Sequence, residues 1–205
     1  ADAARFLTRA SFGPTAASIA QLRALGYVGW LDQQMAVAPT LQRPPVEAII
    51  AQQVLTDTRN GPFYRRFRID HWFAAQLSAP DELRQKVAHA LSQILVISDA
   101  GTLDDNPIGV AEYNDILLRN AFGNYRTLLE QVATHPTMGL YLSHLKNQKE
   151  DAKTGRVPDE NFAREVMQLF SIGLVELNAD GSAKLEAGAP KPSYTGEDIA
   201  GMAKV

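Results

Sequence analysis

The segment Pro158-Asp159-Glu160-Asn161-Phe162-Ala163-Arg164-Glu165-Val166-Met167-Gln168-Leu169-Phe170-Ser171-Ile172-Gly173 decides how this chain is read. Phe162, Val166, Leu169 and Phe170 recur at i, i+4, i+7 and i+8, one face of a 3.6-residue period, which predicts an amphipathic helix. Asn161, Glu165 and Gln168 flank that stripe, and Glu160 and Arg164 stand one turn apart behind it. A carboxylate beside a buried face, with an amide one turn before it, builds either a polar network or a site.

Outward from this helix the same period dominates. Thr15, after Gly13-Pro14, predicts an N-cap for a helix with Ile19, Leu22 and Leu25 inward and a stop at Gly26. A short helix over 27–35 follows, and Pro39, Pro44 and Pro45 mark an irregular connection. Further helices are predicted over 46–58, closed by Asn60-Gly61-Pro62, and over 63–78. Pro80-Asp81-Glu82 opens another, with Val87, Leu91, Ile94 and Leu95 inward. Residues 110–122, 125–134 and 137–145 complete the helical set, and 146–157 is a hydrophilic stretch. Only 174–177 and 183–185, separated by Asn178-Ala179-Asp180-Gly181, predict strands. The expected fold is mostly α: a single irregular multi-helix domain over 1–205, with a small β-hairpin near residues 174–186. Thr195 and Asp198 form a capping pair for a last helix, stapled by Tyr194 and Ile199. That pattern reaches Val205 with no C-cap signal, so the chain is expected to be the N-terminal portion of a longer protein.

At 205 residues the chain can bury roughly 70% of its unfolded surface. A hydrophobic share of 45% and a charged share of 21% fit a globular protein. A net charge of −3 gives no footprint for nucleic acid. No apolar run approaches the ~18 residues of a membrane span. The absence of cysteine excludes disulfides, thiolate nucleophiles and Cys-based zinc sites.

Candidate chemistry centres on the opening helix. Glu160, Asn161, Arg164 and Glu165 could hold a ligand or metal, or one carboxylate could act as a base. Alternatively, Glu160 and Arg164 form an i,i+4 ion pair, and Asn161 and Glu165 anchor neighbouring loops through buried hydrogen bonds. His135, ahead of Pro136, is the histidine candidate for catalysis. The four histidines, His71, His89, His135 and His144, provide no i,i+4 pair of the H-E-x-x-H kind, so no transition-metal site is expected. Neither a G-x-S-x-G elbow, a G-x-G-x-x-G loop nor a P-loop occurs, and no cofactor is expected. Asp99, Asp104 and Asp105 lie in an acidic loop that could offer oxygen ligands to calcium, though the spacing is not that of an EF-hand. The run Phe63-Tyr64-Arg65-Arg66-Phe67-Arg68 could bind an anion or a polysaccharide; otherwise Phe63 and Phe67 point inward and the arginines form a solvated face.

The segment Asp159-Glu160-Asn161-Phe162-Ala163-Arg164-Glu165, with Leu169 and Gly173, followed by Tyr194-Thr195-Gly196-Glu197-Asp198, resembles the signature of the bacterial family catalogued as domain of unknown function 1800. Arg5-Phe6-Leu7-Thr8-Arg9-Ala10-Ser11-Phe12-Gly13-Pro14, Arg84-Gln85-Lys86-Val87 leading into Ala90-Leu91-Ser92-Gln93, and Asn120-Ala121-Phe122-Gly123-Asn124-Tyr125-Arg126 carry the resemblance across nearly the whole chain. Members of that family are typically longer, predicted to be exported, and often encoded beside a second exported family with a sulfatase-like fold. Their biochemical activity is not established. The resemblance therefore implies a periplasmic or extracellular protein with a structural or interaction role in an envelope or extracellular assembly. The implied partner is a protein: the remaining C-terminal part of its own chain, or a co-encoded exported protein. The alternative is a hydrolytic or metal-assisted enzyme with its site at the helix 159–165. Some branches of the family carry a W-H-N-H-F segment where this chain has Leu91-Ser92-Gln93-Ile94-Leu95, and a His near Phe170. That departure puts any His-dependent chemistry of those branches in question for this chain.

Overall fold

The structure, a computed structural model, describes residues 1–54 and 61–204. The chain is mostly helical, with ten α-helices and one two-stranded antiparallel hairpin among the described residues. Its contacts gather into two compact units, Ala1–Val132 and Ala133–Val205.

The first unit is built from α1 (Asp2–Ala10), α2 (Ala16–Ala36), α3 (Arg43–Val54), α4 (Gly61–Ser78), α5 (Glu82–Ser92), a 3-10 turn (Gly101–Leu103), α6 (Pro107–Arg119) and α7 (Tyr125–Ala133). Thr15 and Ser18 form a reciprocal capping box at the start of α2, as the sequence predicts. Gly26 adopts φ 71°, so the first helical stretch stops there as predicted and the expected second stretch resumes across a kink. Leu7, Leu22 and Trp30 make one core cluster, with Phe6, Ile19 and Leu83 packed around it. α6 is the central element: it packs on α3, α4 and α5 and buries Val110, Ala111, Tyr113, Leu117 and Leu118. The predicted helix over 46–58 starts earlier, at Arg43, and its last residues together with Asn60 lie outside the described residues. Gly61 and Pro62 open α4 rather than closing α3.

Two inward faces differ from expectation. On α5, Arg84, Gln85 and Ala88 are buried, whereas Ile94 is 45% exposed. The reason is backbone supply. Arg84 donates to the carbonyls of Leu118, Met35 and Val37 at the ends of α6 and α2, and its guanidinium lies 4.7 Å over the Phe122 ring. Gln85 donates to the Thr40 carbonyl and to Asp81, which in turn accepts from the Thr40 N–H. Helix ends and turns that lack partners of their own are satisfied from this side of α5. On α4, Tyr64 and Arg68 are buried while Phe63 is exposed, so one of the arginines faces inward.

The second unit contains α8 (Pro136–Tyr141), α9 (Asn161–Gln168), β1 (Leu185–Glu186), β2 (Ala189–Pro190) and α10 (Gly196–Met202). α8 ends four residues before the predicted boundary, and Ser143 and Lys146 follow with positive φ. In α9 the buried position is Ala163; just past its end Phe170 is buried and Leu169 is 49% exposed. Phe170 N–H donates to Glu165 and Ile172 N–H to Met167, both five residues back. This widened last turn rotates Leu169 out of the predicted stripe and Phe170 in.

The predicted hairpin is present but larger. Leu177 pairs with Ala183 around the Asn178–Gly181 turn, and Asn178 N–H donates to the Ser182 carbonyl. β1 then turns through Ala187 and Gly188, both at positive φ, into β2. The third segment returns to pair Val175 with Pro192. At the level of Glu176, Lys184 and Lys191 the backbone bonds form a closed ring: 176 donates to 191, 191 to 184, and 184 to 176. Glu176 holds both lysines through its side chain, and their ammonium groups keep its carboxyl below the usual range. Strand alternation puts the neighbours Leu177, Ala183, Leu185 and Pro190 on the opposite face. Leu177 and Leu185 are 56% and 67% exposed there. α10 opens with the predicted box between Thr195 and Asp198, and Ile199 is buried. No helix among the described residues is long and apolar enough to cross a membrane.

Candidate functional site

The signature residues sit at the start of α9, where four N–H groups need acceptors. Asp159 meets part of that need by accepting from the Asn161 N–H at 2.9 Å. Glu160 occupies the N-cap position with no capping bond and pairs with Arg164 at 3.2 Å, both side chains being close to half exposed. Asn161 is exposed. Glu165 is partly buried, and its Oε2 is buried with no hydrogen-bond partner among the described residues.

The expected anchoring by Asn161 and Glu165 is therefore corrected. The amide that ties the loops together is Asn147. Its Nδ2 donates to the carbonyls of Asp159 and Ala203, and its Oδ1 accepts from the Asp159 and Gln148 N–H groups. Nothing local marks this role, because the partners are main-chain groups 12 and 56 residues away in a stretch that reads as hydrophilic connection.

A cleft of about 970 Å³ opens beside this junction, lined among others by His144, Asn147, Asp159, Phe162, Met202 and Lys204. His144 stacks on Phe162 with ring centroids 3.9 Å apart. Its Nε2 donates to the Ala133 carbonyl at 3.1 Å, and its Nδ1 is buried without a partner among the described residues. Glu160, Asn161, Arg164 and Glu165 are not among the lining residues. His135 is the N-cap of α8, with its Nδ1 accepting from the Thr137 N–H at 3.2 Å. The cleft thus has Asp159 and a histidine that the sequence did not select, His144, in its lining, whereas Glu160, Asn161, Arg164 and Glu165 stay at α9 outside it and His135 caps α8.

In the first unit the acidic loop is divided. Asp99 accepts from Arg65 at 3.1 Å and from Arg68, while Asp104 and Asp105 are exposed. Burial acts to raise the Asp99 carboxyl, but the Arg65 hydrogen bond and the Arg68 charge outweigh it, and Asp99 titrates below the ordinary carboxylate range. Among the described residues no group of three or more His, Asp and Glu is placed to hold a metal ion. His89 lies between Phe12 and Trp72, and burial together with Lys86 lowers its pKa, favouring the neutral ring.

A family model described as "Protein of unknown function (DUF1800)" matches residues 5–205, and the chain belongs to that family. No curated protein and no solved structure matches it significantly.

Proposed function

We propose that this member of a family of unknown function is an interaction module of an exported bacterial protein, acting in an envelope or extracellular assembly. Its partner is a protein, seated on the apolar face of the three-segment β element. The observation that carries this reading is the bare face itself: Leu177 and Leu185 are more than half exposed on the side opposite the Glu176–lysine cluster. Apolar side chains left exposed together on one face of such an element mark docking sites in soluble proteins. Part of the signature supports the same reading, since Glu160 pairs with Arg164 and Asp159 accepts from the Asn161 main-chain N–H. Export rests on the family resemblance alone, and fractionation of the source cells tests it.

A co-encoded exported protein, of the kind the family resemblance implies, is the partner to test first. The double variant Leu177→Asp/Leu185→Asp should weaken its binding by more than about tenfold, or ~1.4 kcal/mol, in calorimetric titration. Unchanged affinity in a folded variant would exclude this face. If the remaining part of the same polypeptide is the occupant, only the full-length gene product will protect the two leucines from surface labelling.

A second reading, hydrolysis at the start of α9, has one observation in its favour: the cleft beside Asp159 and His144. Hydrolysis of a panel of esters, glycosides and phosphoesters, abolished in both Asp159→Asn and His144→Gln, would establish it. Equal turnover by wild type and both variants would dismiss it.

A further inference from the structure

A smaller cleft of about 390 Å³ lies within the first unit, between α4, the segment 92–99 and the first half of α6. Its lining includes Arg68, Trp72, Phe73, Ser98, Asp99 and Asn114. The Arg68 side chain is only 8% exposed. A guanidinium removed from water to this degree needs full compensation from hydrogen bonds and opposite charge.

That compensation is incomplete. Arg68 shares its one carboxylate, Asp99, with Arg65, so two cations rest on a single anion. Its Nε is buried and has no hydrogen-bond partner among the described residues, and the Arg65 Nε is in the same state. The remaining arginine of the run, Arg66, pairs with Asp70 in the exposed surface. Asp99 and Arg65 are the charges that act on Arg68, and Asp104 reaches only Arg65. Arg68 and Asp99 in the wall are equal and opposite, but Asp99 is divided between two guanidiniums, so Arg68 keeps donor capacity for a further anion in a setting of reduced solvent screening.

The rest of the lining says what body the anion has. Trp72 and Phe73 meet edge to face at 4.7 Å and present ring surface. Ser98 Oγ accepts from the Ala100 N–H, and Asn114 Nδ2 donates to Gln42. These groups leave the serine hydroxyl proton and the amide oxygen of Asn114 for other partners. The volume is at the lower end of the ~300–1,000 Å³ range of small-molecule sites, enough for one ring and its substituents.

We infer that this cleft binds a small carboxylate carrying a single ring, with its carboxylate paired to Arg68 and its ring against Trp72 and Phe73. Sugar acids and aromatic acids share this chemistry, and the test separates them. Indole N–H resonances of the folded chain are followed while D-glucuronate or benzoate is added, with glucose and benzyl alcohol as neutral counterparts. The two tryptophans give an internal control, because Trp30 is fully buried in a different cluster. The Trp72 signal should shift saturably in the millimolar range with one or both carboxylates, at least about tenfold more tightly than with the neutral counterpart, while Trp30 stays still. Glucuronate alone assigns a sugar acid; benzoate alone assigns an aromatic acid.

Asp99→Asn removes the anion that competes for both guanidiniums and should tighten carboxylate binding by about tenfold. Phe73→Ala, at a rim residue that is 53% exposed, should weaken it. Arg68→Met should abolish it, and if that variant fails to fold the other two decide. No shift of Trp72 with either carboxylate, equal shifts with the neutral compounds, or an Asp99→Asn variant that binds no better than wild type each overturns the proposal.

Discussion

Both carboxylate oxygens of Asp115, on α6, accept main-chain N–H groups at the start of α3: Gln42 at 2.7 Å and Arg43 at 3.1 Å. The residue is fully buried, and burial holds its carboxyl above the ordinary range against the downward pull of those two N–H groups. Arg119 approaches only to 3.9 Å from a half-exposed position, so the helix end, not the arginine, is the principal partner. Asp115→Ala strands two buried donors and should cost about 2–4 kcal/mol in urea unfolding, and Asp115→Asn, which keeps one acceptor, distinctly less. Equal losses would mean that the capping bonds contribute little. Asp99 supplies a pH test of opposite sign. Its folded pKa lies below the ordinary 3.8, so the stability it contributes is complete above that value and is lost as pH falls through the lowered one. Between neutral pH and about pH 2, wild type should lose more stability than Asp99→Asn. Parallel losses would show that Arg65 and Arg68 do not stabilise the ionised form.

Local signals govern what was legible among the elements. Thr15 with Ser18 and Thr195 with Asp198 cap α2 and α10 as predicted, because donor and acceptor are three residues apart. The break at Gly26 was legible for the same reason, and Gly26→Ala should destabilise by about 1–2 kcal/mol, since a Cβ at φ 71° strains the backbone. A thermal midpoint unchanged in that variant would mean that α2 can straighten without loss. The inward face of α5 was not legible. Arg84 and Gln85 are buried to serve carbonyls of residues 34 and 45 to 49 positions away, and apolar periodicity carries no trace of such partners. On α4 the burial of Arg68 depends on Asp99, 31 residues further on. The third β segment was hidden by Pro190 and Pro192, residues that argue against a strand from sequence and are tolerated where the ladder needs no N–H from them.

Across the whole molecule, the mostly helical class and the family were readable, the latter from motifs spread between Arg5 and Asp198 that agree with the matched span 5–205. The site was readable only as a polar cluster on α9. Its junction residue, Asn147, and its histidine, His144, act through backbone geometry and ring stacking that motif spacing does not encode. The two units differ in how much they bury. Among the described residues of the second, five apolar side chains are buried: Met138, Leu142, Ala163, Phe170 and Ile199. The first has the Leu7–Leu22–Trp30 cluster and the continuous inner face of α6. Amide exchange should accordingly be slowest in α6 and faster throughout 174–193, where the backbone bonds lie close to solvent. Uniform protection of both regions would refute this ordering. The ring of backbone bonds through Glu176, Lys184 and Lys191 has one more effect. All six of their main-chain N–H and C=O groups are used within the ring, so at that level no open edge remains to template an added strand or the growth of a fibril. The β element can therefore keep a bare apolar face at the surface without inviting polymerisation through its backbone.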